Sequence, residues 1–342
     1  MKAFFIQEFG HNEVVQLGER PVPVIGSREL LVEVRAAGVN PVDFKIREGG
    51  LQPLVPYRFP LVLGNELSGV VVEVGPEVTK FKKGDAIFAR LDKLAIGAFA
   101  QFAVVKESDA ALKPENLSFE EAASIPLVGL TTWQVLIELG GLKAGQKALI
   151  HAGSGGVGTF AIQLAKHLGA TVATTVGQRN VALVKGLGAD EVIDYGTQRF
   201  DEVLRDCDFV FDTLAGETQH RSFRVLKPGG VMVSIAGMPT AKFARAWGVS
   251  PLVAGALGLL GWKTSRLAKK HGVRFEYLFM RPDGQQLSEI ARLLARGVIR
   301  PVLDRVFPFE QTPSALQYVE SGRAVGKVVI QVKPRAAAAG VG

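Results

Sequence analysis

Residues 147–158 read KALIHAGSGGVG and place a glycine-rich turn between a strand and a helix. The apolar run from Ala148 to Ile150 precedes a G-x-G-x-x-G spacing, and the helical pattern TFAIQLAKHLGA follows it. This order is typical of a dinucleotide site, because the glycines allow a tight turn and let a pyrophosphate approach the backbone. The first N–H groups of the helix then face the phosphates. The candidate phosphate-binding residues are Ser154, Gly155, Gly156, Val157 and Gly158.

Around this stretch, strand patterns alternate with helical patterns. The predicted strands are Ala148–His151, Thr171–Val176, Glu191–Asp194, Phe209–Asp212, Val231–Ile235 and Arg274–Phe279. The predicted helices between them include Gly156–Leu168, Asn180–Leu187 and Thr218–Leu226. Six strands with helical crossovers indicate an α/β fold with a doubly wound, six-stranded parallel sheet of the Rossmann type.

The first third of the chain is rich in short strand patterns separated by turns, which favours a barrel-like domain. A capping-box pattern that begins at Ser118 marks the change to helices. After Pro282 the pattern changes again, and this last piece is too small to be a separate domain. We therefore expect a first domain at 1–124, completed by 283–336, a nucleotide-binding domain at 125–282, and a flexible tail at 337–342.

The composition is that of a folded protein in a reducing compartment. The chain has 342 residues, 47% of them hydrophobic and 21% charged, and a net charge of +7. Cys207 is the only cysteine, so an internal disulfide is excluded. The N-terminus lacks the pattern of a secretory signal. These features predict a cytoplasmic protein.

The longest apolar stretch, 249–262, is too short to span a bilayer. We expect it to be a buried helix or a subunit contact, in preference to a membrane-surface contact. Its basic flanks keep the membrane alternative open; they are Lys242, Arg245, Lys263, Arg266, Lys269 and Lys270. A nucleic-acid partner is not expected, because no dense run of Lys and Arg occurs.

The region after the second nucleotide-domain strand favours NADP(H) over NAD(H). An NAD site uses a carboxylate about 20 residues past the glycine turn, but no Asp or Glu occurs from Leu139 to Ala189. Arg179 lies where a 2′-phosphate would be held, and its guanidinium suits that anion. Tyr195 offers a hydroxyl donor or a flat face for adenine. The alternative for Arg179 is a solvent-exposed loop arginine without a ligand. The alternative for Tyr195 is ordinary side-chain packing.

Two other chemistries fit the sequence less well. The glycine turn around Ser154 resembles a hydrolase nucleophile elbow, with Asp212 and His220 following in the required order. The turn continues as a phosphate loop, however, and no oxyanion motif such as HGGG appears. A metal site is also disfavoured, because the five histidines do not pair at ligand spacing. His151 is expected to pack structurally.

Over nearly its whole length the chain resembles the medium-chain dehydrogenase/reductase superfamily, and most closely its zinc-independent quinone oxidoreductase and alkenal/enone reductase branch. The matching segments are AAGVNPVDFKIREG (36–49), LGNELSGVVVEVG (63–75), KKGDAIFA (82–89), GAFAQFAVV (97–105), AASIPLVGLTTWQVL (122–136), GSGGVG (153–158) and GKVVI (326–330). The zinc-dependent members have Cys and His where this chain has Asn40 and Asn65, and their four-cysteine zinc lobe is absent from this sequence.

The resemblance implies a GroES-like β-barrel catalytic domain beside the Rossmann domain, and a homodimer paired through the edge strand Arg274–Phe279. It implies an NADPH-dependent, metal-free transfer of hydride to a quinone or to the C=C bond of an α,β-unsaturated carbonyl. Asn40 and Lys45 would be catalytic, with Lys45 also near the cofactor. Further cofactor contacts would be Thr131, Phe279, Arg323 and Val325. Gly177 replaces a serine common in relatives, so one expected contact with the 2′-phosphate is missing and Arg179 becomes the main candidate to bind that phosphate.

One alternative function is kept. A non-catalytic, NADPH-binding structural or membrane-associated scaffold protein would share the same nucleotide fold.

Overall fold

The computed structural model describes residues 1–52, 55–237, 243, 255 and 258–333. Its strands are β1 (Lys2–Ile6), β2 (Gln16–Glu19), β3 (Glu29–Val39), β4 (Leu61–Val62), β5 (Glu66–Val74), β6 (Ala86–Arg90), β7 (Phe102–Lys106), β8 (Ala110–Leu112), β9 (Lys147–Ile150), β10 (Thr171–Val176), β11 (Glu191–Asp194), β12 (Cys207–Asp212), β13 (Leu226–Ser234), β14 (Arg274–Tyr277), β15 (Leu303–Pro308) and β16 (Lys327–Gln331). The predicted tail, 337–342, lies outside the described residues.

The α-helices of the described residues are α1 (Pro41–Arg47), α2 (Phe119–Ala123), α3 (Pro126–Trp133), α4 (Gly156–His167), α5 (Val181–Gly186), α6 (Phe200–Val203), α7 (Gly216–Ser222), α8 (Trp262–His271), α9 (Gly284–Ala295) and α10 (Thr312–Glu320). A π-helical segment, Gln134–Leu139, follows α3. Short 3₁₀ turns occupy Asn12–Val14, Glu107–Asp109, Gln178–Asn180 and Phe309–Gln311. The chain divides into two compact units: unit 1 is Met1–Leu130 with Arg281–Gly342, and unit 2 is Thr131–Met280.

Unit 2 is built on one parallel sheet. Its six strands lie in the order β11-β10-β9-β12-β13-β14, and every neighbouring pair is parallel. The central strand β9 is fully buried from Ala148 to Ile150, as expected of a strand covered on both faces. The predicted doubly wound, six-stranded parallel sheet and the α/β fold class are confirmed.

Unit 1 is mainly antiparallel. Strands β15, β16, β3, β5, β6 and β8 form a sheet in that order, β7 also pairs with β3, and a second sheet has the order β2-β1-β4. The long strand β3 pairs with β5, β7 and β16. Strand β16 comes from the end of the chain, so the last piece completes the first sheet. The unit buries its own apolar core, which includes Ile6, Val32, Leu67 and Ile330.

Of the two alternatives predicted for the apolar stretch, a buried helix is wrong for the large side chains that the structure describes, whereas a subunit contact stays a prediction. Leu259 is 80% exposed, Leu260 is 62% exposed and Trp262 is 57% exposed. Most of the remainder of 249–262 lies outside the described residues. In the part of the chain that the structure describes, no helix combines the length and apolar character that crossing a bilayer requires.

Candidate active site

In unit 2, the candidate cofactor residues follow the carboxyl ends of parallel strands. Strand β9 has β10 on one side and β12 on the other, so the crossovers leave this point in opposite directions. Loops at such a topological switch point form the ligand crevice of open α/β sheets. The register places Ile150 beside both Thr174 and Phe211. The segments that follow these three strands therefore emerge at one edge of the sheet.

The glycine turn after β9 is tight on one side and open on the other. A methyl group on Gly158 would lie 2.3 Å from the carbonyl oxygen of Ala152, so the third glycine allows close contact between helix and turn. A methyl group on Gly155 would have no atom nearer than 3.4 Å. The side chain missing at Gly155 therefore leaves open the space into which a phosphate would fit.

The first turn of α4 presents its N–H groups at this open face. The first intrahelical N–H bond of α4 joins Thr159 N–H to the Gly155 carbonyl, at 2.9 Å. The N–H groups of Gly156, Val157 and Gly158 precede that bond and lack helical acceptors. No acidic residue lies in this first turn. The turn therefore suits an anionic group, and the residues present fit a pyrophosphate.

The backbone before the turn is strained. Ala152 has φ of 51°, in the left-handed region that favours glycine. Its N–H donates to the Thr175 hydroxyl over 3.3 Å, and its carbonyl accepts from Gly155 N–H at 3.0 Å. A strained residue held from both sides is typical of a functional loop.

Ser154 is bound in a way that disagrees with a hydrolase. The side-chain amide of Asn180 donates to the Ser154 hydroxyl oxygen at 3.0 Å. The Asp212 carboxylate accepts from Gln219 Nε2, Ser234 Oγ and two backbone N–H groups. Each of its oxygens therefore already has two hydrogen-bond donors at the edge of the sheet. His220 lies 3.8 Å from Glu217. These contacts do not assemble a triad.

Arg179 and Tyr195 are both exposed beyond the ends of β10 and β11. Arg179 lies in the 3₁₀ turn after Gly177, and its side chain has no hydrogen-bond or ion-pair partner among the described residues. Tyr195 is 70% exposed. A methyl group at Gly177 would lie 3.1 Å from the Tyr195 hydroxyl oxygen. The glycine therefore makes room for the phenol.

His151 packs structurally, as predicted. It is fully buried, with Nδ1 3.1 Å from the Thr175 hydroxyl and Nε2 2.8 Å from the Ser222 hydroxyl. Burial lowers the pKa of His151 to about 4, although Asp212 opposes the shift. The imidazole is thus neutral near pH 7 and joins strands β9 and β10 to helix α7.

In unit 1, a buried polar cluster forms where α1 begins. Asn40 is the N-cap of α1, and Pro41 suits the first helical position because its missing N–H needs no acceptor there. The Asp43 carboxylate accepts from Asn40 N–H and from the Asn65 side-chain amide, both at 2.7 Å. Burial raises the pKa of Asp43 to about 7, although both of these donors oppose the shift.

Glu66 and Lys327 complete the cluster. Glu66 accepts from Asn40 Nδ2 and Lys327 Nζ, each at 2.7 Å, and from Leu127 N–H. Lys327 Nζ also donates to the side-chain oxygen Oδ1 of Asn40. Asn40 is thus held on both ends of its amide. The ammonium already supplies the positive charge beside Glu66, and the side-chain amides of Asn40 and Asn65 are poor zinc ligands.

The remaining sequence-predicted residues are spread over several elements. Lys45 is exposed on α1, and Thr131 is buried on α3. Phe279 is half-buried just beyond β14, and Arg323 is exposed. Val325 N–H donates to the Asp304 carboxylate at 3.0 Å, which fixes the turn before β16. The structure brings Asn40 together with Asn65, and Ser154 with Asn180.

Among the described residues, one group has the donor atoms of a metal site: His11, Glu48 and Glu320. The buried guanidinium of Arg47 already donates to both glutamates, at 2.6 Å and 3.0 Å. The lone cysteine, Cys207, is buried in unit 2, and burial raises its thiol pKa to about 12. Neither feature offers a metal centre.

Asn40 and Asn65 are identifiable from the sequence, but the partners Glu66 and Lys327 were not predicted. Glu66 directly follows Asn65, and Lys327 lies inside the GKVVI segment. A charged residue inside each apolar strand pattern was the available signal, because such residues are buried only when paired. The separation of 261 positions between the two charges hid the pairing.

Comparison with known proteins defines the class. Residues 26–115 match the alcohol dehydrogenase GroES-like domain, and residues 187–330 match the zinc-binding dehydrogenase family. The NAD(P)H oxidoreductase RTN4IP1, mitochondrial, of Danio rerio is 36% identical over 355 residues, which cover 97% of this chain and 91% of the relative. The chain therefore belongs to the medium-chain dehydrogenase/reductase superfamily, in its quinone and enone reductase branch.

Two further relatives are informative. The chloroplastic NADPH-dependent alkenal/one oxidoreductase of Arabidopsis thaliana is 32% identical, covering 98% of this chain and 80% of the relative. The structure of Escherichia coli quinone oxidoreductase complexed with NADPH superposes with a TM-score of 0.82 at 28% identity, covering 97% of this chain and all of the other. The expected GroES-like and Rossmann combination is confirmed.

The predicted cytoplasmic location is corrected by the same comparisons. The relatives from Danio rerio, Mus musculus, Homo sapiens and Bos taurus are all named as mitochondrial, and the Arabidopsis relative is named as chloroplastic. The absence of disulfides reports a reducing environment, which several compartments share. It therefore did not justify the narrower prediction.

Proposed function

We propose that this chain is an NADPH-dependent reductase that transfers hydride to quinones or to the activated C=C bond of α,β-unsaturated carbonyls. The observation that carries the proposal is the turn after β9, whose open face at Gly155 adjoins the free N–H groups of α4. Arg179 and Tyr195 follow strands of the same sheet. Arg179 would hold the 2′-phosphate, and Tyr195 would offer a hydroxyl donor or a flat face for adenine. Relatives named as quinone and alkenal/one oxidoreductases support the substrate class.

When bound, NADPH supplies a hydride to the electrophilic carbon of the substrate. The residues of this chain orient the reactants and stabilise charge. We infer that the Lys45 ammonium stabilises the oxygen that becomes negative as the hydride arrives. The side-chain amide of Asn40 has a fixed orientation, because its nitrogen donates to Glu66 and its oxygen accepts from Lys327. The proton that completes the reduction comes from solvent.

Further cofactor contacts are proposed for Thr131, Phe279, Arg323 and Val325, which match segments that contact or close over the cofactor in relatives. The reaction is proposed to be metal-free. Asn40 and Asn65 stand where the zinc-dependent members have Cys and His, and their amides bind carboxylates of the chain itself. A homodimer paired along β14, which lies at the edge of its sheet, is also proposed. Sedimentation equilibrium would then give twice the 36.6 kDa of one chain.

The deciding experiment is a substrate screen. Purified protein is mixed with NADPH or NADH and a panel of alkenals, cyclic enones and quinones, and loss of the reduced nicotinamide is followed by absorbance. We expect turnover with members of the panel and a preference for NADPH. Tight binding of NADPH without turnover on any member would instead support the scaffold alternative, which the names of the relatives do not favour.

A further inference from the structure

One long part of the chain carries positive charge alone. From Thr218 to Phe275 the sequence contains no Asp or Glu, yet it contains ten Lys and Arg residues, more than the net charge of the whole chain. They are Arg221, Arg224, Lys227, Lys242, Arg245, Lys263, Arg266, Lys269, Lys270 and Arg274. A cationic segment of this length produces a positive potential that attracts anionic partners.

Part of this charge is neutralised by carboxylates from elsewhere in unit 2. Arg221 and Arg224 pair with Asp201, and Lys227 pairs with Asp208. Arg274 pairs with Glu276 at 3.6 Å. The cations of α8 differ, because no carboxylate of the described residues lies in ion-pair contact with them. These unpaired cations are Lys263, Arg266, Lys269 and Lys270, and all four are exposed.

Exposed apolar side chains adjoin these cations. Leu259 and Leu260 precede Gly261, which is the N-cap of α8, and Trp262 begins the helix. The Arg266 guanidinium lies 5.1 Å from the centre of the Trp262 ring, so charge and aromatic surface share one face of the helix. The opposite face carries Leu267 and Ala268, which pack on the apolar core of unit 2. The exposed face is therefore held in place by a buried one.

We propose that this face docks on an anionic phospholipid bilayer. The docking surface consists of Leu259, Leu260, Trp262, Lys263, Arg266, Lys269 and Lys270. Lysine and arginine would bind the headgroups, while the leucines and the tryptophan would enter the boundary between headgroups and acyl chains, where indole rings are enriched. The association is peripheral, and it does not depend on the proposed reductase activity.

Two other occupants agree less well with the composition of the docking surface. A second copy of the chain across a two-fold axis would bring the four cations of each copy against the same four of the other. An RNA strand would satisfy the cations but would leave Leu259 and Leu260 without a partner, because neither side chain stacks on a base. An anionic bilayer provides both negatively charged headgroups for the cations and an apolar interior for the leucines and the tryptophan.

The test uses the full chain and vesicles of phosphatidylcholine with or without phosphatidylglycerol. We expect co-sedimentation with the anionic vesicles at low salt and weak binding to neutral ones. The charge-reversal variant Lys269→Glu/Lys270→Glu should raise the dissociation constant for anionic vesicles by at least about tenfold. Lys82→Glu/Lys83→Glu reverses an adjacent lysine pair in an exposed turn of unit 1 and should bind vesicles as the wild type does.

A second variant, Leu259→Ser/Leu260→Ser, tests the apolar part. We expect it to bind anionic vesicles more weakly even in salt that screens the lysines, with unchanged NADPH affinity as the folding control. Equal losses in both charge-reversal variants would overturn the proposal, as would undiminished vesicle binding by the serine variant. A different outcome is that the wild type does not bind vesicles and that a dimer of the wild type dissociates in the serine variant. This outcome would overturn the proposal and identify the surface as a contact between copies.

Discussion

The proposed preference for NADPH over NADH rests at the residue scale on Arg179 and Tyr195. The carboxylate that would hold a ribose hydroxyl is absent from Leu139 to Ala189. The Arg179 guanidinium is exposed and has no hydrogen-bond or ion-pair partner among the described residues, so it would be available for the additional phosphate. Gly177 leaves space for the Tyr195 hydroxyl at the end of the neighbouring strand.

The variant Arg179→Glu should lose affinity for NADPH far more than for NADH. A hydrogen bond to a charged group is worth about 1.5–3 kcal/mol, so we expect the NADPH dissociation constant to rise by about tenfold or more. Titration of both dinucleotides by fluorescence or calorimetry measures the difference. Lys185→Glu, which makes the same charge change on the exposed surface of α5, is the matched control. Equal losses for NADPH and NADH would contradict the assignment.

Lys45→Ala should reduce turnover without weakening the cofactor complex. Removing a cation from a developing negative charge raises the barrier, and for an exposed lysine we expect kcat with enones to fall by about tenfold. NADPH affinity should stay near that of the wild type. Lys83→Ala, at an exposed turn, controls for the general loss of a lysine. An unchanged kcat would remove Lys45 from the catalytic residues.

Some contacts of the site residues could not be predicted from the sequence. Asn40 and Asn65 were identifiable because they depart from the zinc-dependent pattern. The interaction of Asn40 with Lys327 depends on the pairing of β3 with β16, which sets Val328 opposite Val39. Contacts between residues so far apart follow from the sheet, and no local pattern encodes them.

In the strand–turn–helix element of β9 and α4, two glycines have different roles: one allows close backbone packing, and the other leaves space for a ligand. Gly158 is enclosed by backbone atoms, whereas Gly155 faces open space. The dihedral angles of Gly155, φ −77° and ψ 170°, are accessible to any residue. A methyl group at these two sites should therefore have different consequences.

Gly155→Ala should fold with a nearly unchanged Tm but bind NADPH weakly, because its methyl group occupies the phosphate space. Gly158→Ala should be destabilised by about 1–3 kcal/mol, since α4 must move away from Ala152. Thermal unfolding and NADPH titration of both variants check these outcomes. If Gly155→Ala bound NADPH as tightly as the wild type, the phosphate site would have to lie elsewhere.

The elements of unit 2 were largely predictable from sequence. Thr171–Val176 and Glu191–Asp194 have the predicted bounds, because turns flank both apolar runs. Strand β2, with the sequence QLGE, was missed because it has no apolar alternation and depends on pairing with β1. Helix α1 was missed because its seven residues show no clear period. The exposed leucines before α8 resembled core residues by composition alone.

For the molecule as a whole, one buried group in each unit should make stability respond to pH, and the two responses should have opposite directions. In unit 1 the pKa of Asp43 is raised by burial from 3.8 to about 7, so the folded state holds its proton more tightly than the unfolded one. This contribution to stability is full below pH 3.8 and is lost as pH rises from there to about 7. In unit 2 the pKa of His151 is lowered from 6.5 to about 4, so stability is lost as pH falls below 6.5.

Each group contributes up to about 1.4 kcal/mol per pH unit within its window. Hydrogen exchange of the β3 and β9 amides, corrected for intrinsic rates, should show β9 less protected at about pH 5 and β3 less protected at about pH 7.5. His151→Gln should remove the response of β9, whereas His167→Gln, on the exposed end of α4, should not. Parallel behaviour of both strands would contradict this account.

The return of the chain into unit 1 has a consequence for biosynthesis. Strand β3 is translated early, but its neighbour β16 leaves the ribosome only after all of Thr131–Met280 has been made. A nascent polypeptide that has emerged from the ribosome as far as residue 300 would carry a complete nucleotide-binding unit and an unpaired sheet edge at β3. That edge would need shielding from aggregation, for example by a chaperone, until translation ends.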